Sequence, residues 1–232
     1  KYGPPEVLQL QQVEKPIPKE NEILIKMEAT AVNSADWRVR KAQPAAIRLF
    51  FGLTKPKSNI LGGVFAGEVI EVGRNVTQLQ VGGRVFGSLG MRFGAYAEYL
   101  CIALENCAIS TIPKNMTFEE CASIPFGGIT AYYFLQRANV ESGKNVLIYG
   151  ASGAVGTAAV QLATYMGANV TGVCSTSNLD LVTSLGAKEV IDYTKEDFTK
   201  RDGKYDVIFD TVGKIDYTST IGMLKDDGIL LL

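Results

Sequence analysis

The chain has 232 residues, 47% of them apolar and 20% charged, enough for one large domain or two modest ones with ordinary cores. Its 23 Lys and Arg stand against 24 Asp and Glu, and the net charge of −1 argues against a nucleic-acid partner or a polybasic membrane patch. There is no histidine, which removes His-based triads, HExxH zinc sites and His-ligated haem from the chain's chemistry.

The opening run, Lys1-Tyr2-Gly3-Pro4-Pro5, has no signal-peptide h-region, and no stretch of about 18 apolar residues occurs, so no membrane span is expected. Glu22 to Asn33 alternates through Ile23, Ile25, Met27, Ala29 and Ala31, the pattern of a half-buried strand. Further strands are predicted at Val64–Val72, Arg84–Phe86 and Ala95–Ile102, separated by glycine-rich turns. Pro16, Pro18, Pro44 and Pro56 fall in connections, where a missing N–H costs little. The first part therefore reads as a small, mostly antiparallel barrel. Cys101, Cys107, Cys121 and Cys174 form no CxxC pair; they read as buried, reduced thiols of a cytoplasmic protein.

The character changes near residue 112, dividing the chain into 1–112 and 113–232. Thr117-Phe118-Glu119-Glu120 fits a capping box at a helix start. Short apolar strands then alternate with helices. Strand Val146–Tyr149 precedes helix Val155–Met166, with Val155, Ala159, Leu162, Ala163 and Met166 on one face. Strand Asn169–Val173 leads to a helix through Leu179, Val182 and Leu185 that Gly186 stops. Strands Glu189–Ile191 and Val207–Asp210, a helix around Ile221 and Leu224, and a strand Gly228–Leu232 follow. This alternation predicts a parallel sheet with helices on both faces. A doubly wound sheet has about six strands; the sequence supplies five and stops in the last, so its C-terminal part is expected to be missing.

The most informative segment runs from Val146-Leu147-Ile148-Tyr149 through Gly150-Ala151-Ser152-Gly153-Ala154-Val155-Gly156. Gly153 leaves no Cβ between the backbone and a pyrophosphate, Gly156 allows helix and strand to pack closely, and the N–H groups of the helix's first turn face the diphosphate. A tight turn without ligand is the competing reading. The Tyr-x-x-x-Lys pair of a short-chain dehydrogenase is absent, and Tyr149 stands where a methyltransferase would place an acid. Dinucleotide folds that take NAD carry Asp or Glu about 20 residues beyond the turn. Here Val173 is followed by Cys174-Ser175-Thr176-Ser177-Asn178, without an acid. Serine and threonine hydroxyls there can donate to a 2′-phosphate, which favours NADPH, yet no Lys or Arg in the loop balances its charge. An ordinary polar loop remains open as the alternative.

The two halves together resemble the medium-chain dehydrogenase/reductase superfamily, and within it the zinc-free quinone oxidoreductases of the zeta-crystallin-like branch. The resemblance spans essentially the whole chain. It rests on Gly3-Pro4-Pro5-Glu6-Val7-Leu8, Ala31-Val32-Asn33-Ser34-Ala35-Asp36, Phe65-Ala66-Gly67-Glu68-Val69, Val81-Gly82-Gly83-Arg84-Val85-Phe86-Gly87, Gly94-Ala95-Tyr96-Ala97-Glu98-Tyr99, Gly127-Gly128-Ile129-Thr130-Ala131 and the glycine turn. It implies an α/β protein: a GroES-like β-barrel domain for substrate, an incomplete Rossmann domain for NADPH, and a cleft holding nicotinamide and substrate. Zinc-dependent relatives place a ligand where Asn33 stands and others near Gly63 and Phe126, none of which is a ligand here, so no metal is implied. Ser152, Gly153, Ala154 and Val155 match the family's pyrophosphate turn, and Ser175 and Thr176 its adenosine-phosphate loop. Thr130 matches a nicotinamide-side contact, and Thr211 and Val212, within Asp210-Thr211-Val212-Gly213, the segment along the nicotinamide half. Tyr193 matches a contact to the 2′-phosphate, or is a surface aromatic. Asn33, Asp36 and Trp37 match the loop walling the substrate pocket, although Asp36 also suits a turn or cap. Departures are Val64, where many relatives are acidic, Gly83 for a frequent Asp, and the lack of a tyrosine in residues 38–53, which disfavours acyl-thioester reduction. The resemblance implies hydride transfer from NADPH to a quinone, with an enone or alkenal acceptor, or a non-catalytic NADPH-binding protein, as alternatives. Relatives are often dimers through their Rossmann sheets, so a homodimer is one option and the oligomeric state stays open.

Overall fold

The computed structural model describes residues 1–201 and 203–232, which fall into two compact units, Lys1–Phe126 and Gly127–Leu232. The division lies within a single helix rather than at the change of character near residue 112.

In the first unit, β1 (Glu22–Ala29), β2 (Val64–Val72), β3 (Arg84–Ser88), β4 (Tyr99–Ala103) and β5 (Ala108–Thr111) form an antiparallel sheet in the order β4-β1-β2-β3-β5. Strand β1 stops at Ala29, short of the Asn33 predicted from alternation. Its register slips between Leu24 and Ile25, so Ile23, Leu24 and Ile25 are all buried in succession. A bulge of this kind breaks the period of two that the alternation assumed. Strand β4 begins at Tyr99 rather than Ala95. Helices α1 (Ser34–Lys41) and α2 (Ile47–Phe51), together with β5, were not foreseen. Asn33 ends the extended run because it is the N-cap of α1. Ile23, Ile25, Phe65, Val69, Val85, Leu100 and Ile102 make this unit's core.

Helix α3 (Phe118–Arg137) opens on the predicted capping box. The Thr117 N–H donates to Glu120 Oε2 at 2.8 Å, and the Glu120 N–H donates to Thr117 Oγ1 at 3.2 Å.

The second unit follows the predicted alternation: β6 (Asn145–Tyr149), α4 (Ala154–Tyr165), β7 (Asn169–Cys174), α5 (Leu179–Ser184), β8 (Glu189–Asp192), β9 (Tyr205–Asp210), α6 (Tyr217–Ile221) and β10 (Leu224–Leu231). All four pairings are parallel, in the order β10-β9-β6-β7-β8. The chain winds outward from β6 to β8 and then returns to the other side of β6 with β9. The carboxyl ends of β6 and β9 therefore flank a topological switch point, where open α/β sheets bind ligands. Ala159, Val160 and Ala163 of α4 pack with Val146 and Ile148, so the predicted face is inward. Leu224 does not extend α6; it opens β10 against Tyr205. Gly186 stops α5 with φ +107°. Among the cysteines, Cys121 and Cys174 are buried, but Cys101 and Cys107 are only half-buried. Burial pushes the Cys101 thiol up to about 11, so it stays protonated.

Candidate functional site

The glycine turn sits at the switch point. Gly156 cannot carry a side chain, because a Cβ there would lie 2.1 Å from the Gly150 carbonyl oxygen. Gly127 of α3 is held to the same rule by the Ala154 carbonyl oxygen, also 2.1 Å from its Cβ position. These two glycines let α3, the turn and α4 approach backbone to backbone. Gly153 differs: a Cβ there would meet only the Gly150 carbonyl oxygen, at 3.4 Å. Its outer side is open.

Gly153 is also the N-cap of α4, and no side chain caps that helix. In contrast, α1, α3 and α6 each begin on a side-chain cap, from Asn33, Thr117 and Asp216. The first-turn N–H groups of Ala154 and Val155 therefore meet no side-chain acceptor, while the helix dipole makes this end attractive to an anion. A diphosphate lying over Gly153 suits both features.

Hydroxyl groups line the same region. Asn178 Nδ2 donates to Ser152 Oγ at 3.2 Å and to Ser175 Oγ at 3.1 Å, tying the turn after β6 to the loop after β7. Both serines thus act as acceptors toward Asn178; Ser152 keeps its own proton for a ligand, while Ser175 Oγ also shares a hydrogen bond with Ser177 Oγ at 3.3 Å. Asn178 stood in the loop sequence, but its role depends on two strands being neighbours, which no local pattern reveals.

Thr176 behaves differently. Its hydroxyl donates to Asp192 Oδ2 at 2.5 Å, and Thr194 donates to Asp192 Oδ1 through both its hydroxyl, at 2.6 Å, and its N–H, at 3.0 Å. The single proton of Thr176 is thereby committed to the carboxylate, so it offers a ligand an acceptor and not a donor. Hydrogen bonds from Thr176 and then Thr194 hold the Asp192 carboxyl down to about 2. The acid missing from the loop after β7 is therefore supplied beneath it by the end of β8. Tyr193 follows; it is half-exposed, its ring centroid 6.4 Å from that of Tyr149.

Across the switch point, Asp210 ends β9. Its Oδ1 accepts from the N–H groups of Val212 and Gly213 at 2.8 and 2.9 Å, and its Oδ2 from those of Lys214 and Ile215 at 2.9 and 2.8 Å. One buried carboxylate fixes the whole loop. Thr211 donates its hydroxyl to the Tyr149 carbonyl at 2.8 Å, and Val212 reaches so close that a Cβ on Gly150 would lie 2.4 Å from its Cγ2. In sequence Asp210 opens the Asp210-Thr211-Val212-Gly213 run, and an Asp followed three residues later by Gly is the signal of such a turn. Thr130 lies half-buried in α3, one turn beyond Gly127.

In the first unit, Asn33 Oδ1 accepts from the Ala35 N–H at 2.9 Å. Asp36 is 2% exposed and accepts from the Asn33 N–H at 2.9 Å and the Gly62 N–H at 3.1 Å. Asp36 thus caps α1, one of the two roles its sequence position suggests. Trp37 beside it is 40% exposed, with the Arg38 guanidinium 5.7 Å from its ring centroid. Tyr96 was not foreseen: its buried hydroxyl has no hydrogen-bond partner among the described residues, and burial, then Asp36, pushes the phenol far above its ordinary value.

Residues 19–114 match the family described as alcohol dehydrogenase GroES-like domain, and residues 154–232 the family described as zinc-binding dehydrogenase. The solved quinone oxidoreductase of Coxiella burnetii superposes with a TM-score of 0.88 at 34% identity, covering 99% of this chain and 72% of that one. The chain belongs to the medium-chain dehydrogenase/reductase superfamily. Another member of the superfamily, 2-methylene-furan-3-one reductase of Solanum lycopersicum, is 35% identical over 241 residues, which cover all of this chain and 60% of that protein. A third, the chloroplastic NADPH-dependent alkenal/one oxidoreductase of Arabidopsis thaliana, is 34% identical over 98% of this chain and 59% of its own length. The chain thus spans about three fifths of these two curated relatives. Zinc, named in one family description, does not fit the residues that stand at the superfamily's ligand positions: Asn33 caps α1, Gly63 has no side chain, and Phe126 is apolar. Among the described residues, no group of three or more His, Cys, Asp and Glu converges that could hold a metal.

Proposed function

We propose that the protein carrying this chain is a zinc-independent oxidoreductase that uses NADPH to reduce a quinone or another conjugated carbonyl acceptor. The observation that carries this reading is the uncapped start of α4 behind Gly153, with Ser152 and Ser175 both held beside it by Asn178. Ser152 and the N–H groups of Ala154 and Val155 bind the diphosphate, and Ser175 and Tyr193 take the adenosine 2′-phosphate. On the other side of the switch point, Asp210 holds Thr211 and Val212 against Gly150, which fixes the wall along the nicotinamide half. NADPH, once bound, supplies the hydride. The protein's part is to orient the cofactor and exclude water. Asn33, the N-cap of α1, forms with Asp36 and Trp37 of its first turn a rigid wall for the acceptor, because the capping box leaves this helix start little freedom.

Reduction of an enone or alkenal carbon–carbon double bond is the second reading, favoured by the names of the tomato and Arabidopsis relatives. In both cases one hydride and one proton are added to the acceptor, and water is the proton source in our reading. The four free cysteines support a reducing compartment, which we take to be the cytoplasm.

Parallel fluorescence titration with NADPH and NADH tests the cofactor, followed by turnover on a panel of quinones, enones and alkenals. Tighter binding of NADPH with turnover on one acceptor class supports the proposal. Tight NADPH binding with no turnover would leave a non-catalytic dinucleotide-binding protein, and binding of neither cofactor would overturn the dehydrogenase reading.

A further inference from the structure

A 2′-phosphate carries up to two negative charges, and the loop after β7 contains no Lys or Arg. Beneath that loop lies a second anion, Asp192, whose carboxylate touches the Thr176 hydroxyl. A phosphate at Ser175 and Thr176 would face this carboxylate with nothing in its own loop to offset the repulsion. The loop after β8 supplies a cation. Lys195 Nζ lies 3.7 Å from Asp192 Oδ2, on the carboxylate oxygen that also accepts from Thr176.

The surrounding hydrogen bonds leave Lys195 available. Asp192 already receives three hydrogen bonds from Thr176 and Thr194, so it remains satisfied when the ammonium moves. Glu196, the neighbouring acid, is occupied by Arg201, which also pairs with Glu189. Lys200 leans toward Asp197 at 3.5 Å. The Lys195 side chain is 68% exposed and its ion pair with Asp192 is long, so its flexible stem can carry the charge across to a ligand at modest cost.

We infer that Lys195, arriving from the loop after β8, is the residue that sets preference for a 2′-phosphorylated cofactor, in place of a basic residue in the loop after β7. This rests on the dinucleotide reading above. In this division of labour Ser175 and Tyr193 donate hydrogen bonds, and Lys195 supplies the charge that separates NADPH from NADH.

The test is calorimetric titration of the intact protein with adenosine 2′,5′-bisphosphate and with AMP, comparing wild type, Lys195→Gln and Lys195→Arg. The wild type should bind the bisphosphate more tightly than AMP, and K195Q should weaken that binding about tenfold while AMP affinity stays constant. K195R should retain the preference, and raising the salt concentration should erode it in wild type but not in K195Q. Unchanged AMP affinity also shows that the variants are folded. If wild type prefers the bisphosphate and K195Q keeps that preference in full, the Lys195 inference is wrong and the NADPH reading stands. If wild type binds AMP without preferring the bisphosphate, both the Lys195 inference and the NADPH reading fail. If it binds neither probe, the dinucleotide reading fails and takes the inference with it.

Discussion

At the start of α1, in the antiparallel unit, Asn33 and Asp36 close the first turn with their own side chains and Asp36 reaches on to the Gly62 N–H. At the start of α4, in the parallel unit, Gly153 brings no side chain at all. Both helix ends carry unsatisfied N–H groups and a positive dipole, yet only one is sealed. Capping residues at the first have made it a rigid part of the fold. Glycine at the second leaves the same electrostatic preference turned outward, where an anion can meet it.

The sharpest way to break this comparison is to fill the two glycines. Gly156→Val places atoms against the Gly150 carbonyl and should destabilise the parallel unit by more than ~3 kcal/mol, seen as a large fall in thermal midpoint. Gly153→Ala has extended backbone and room for its Cβ, so it should melt as wild type does while dinucleotide affinity falls about tenfold. If G153A binds as wild type, the open side of Gly153 is not the diphosphate site.

Asp210→Asn comes next. An amide keeps one acceptor oxygen but turns an NH2 toward two backbone N–H groups, leaving two part-buried donors facing a donor. A loss of roughly 1–3 kcal/mol is expected in urea unfolding, with weaker dinucleotide binding because the loop carrying Thr211 and Val212 loosens. The counterpart in the other unit is smaller: Asn33→Ala removes one cap and should cost ~1 kcal/mol. An Asn33→Ala loss equal to that of D210N would erase the distinction between a one-bond cap and a four-bond cage.

The smallest effect is read by pH. Asp192 titrates at about 2 in the folded protein against 3.8 for the free side chain, so its hydrogen bonds from Thr176 and Thr194 stabilise the fold above about pH 4. That contribution is lost as the pH falls from about 4 toward 2, when the carboxylate takes up a proton. Replacing Asp192 with Asn should flatten this part of the stability–pH curve; an unchanged curve would mean that the Thr176–Asp192–Thr194 cluster does not hold the β7 and β8 loops together.

The parallel unit was the more legible in sequence. Its central strands bury short apolar runs that lead into glycine or polar turns, and that signal is local, as at Val146–Tyr149 and Asn169–Cys174. The antiparallel unit was less so. The bulge in β1 and the cap at Asn33 depend on how neighbouring strands and loops meet, and alternation alone extended β1 four residues too far.

By itself the sequence determined the alternating elements of the second unit, the glycine turn and the lack of a basic residue after β7. These follow from residue type and spacing within a few positions along the chain. Only the tertiary structure decided that Asp36 is a cap, that Asn178 joins Ser152 to Ser175, that Asp192 occupies the Thr176 hydroxyl, and that Lys195 stands beside it. Some of these contacts span only three residues, but the ones that fix the site are long-range. Hydrogen bonds and charges act over a few ångströms of space, and the partners here are 26 residues apart for Gly62 and Asp36 and 16 for Thr176 and Asp192, brought together only by the pairing of strands.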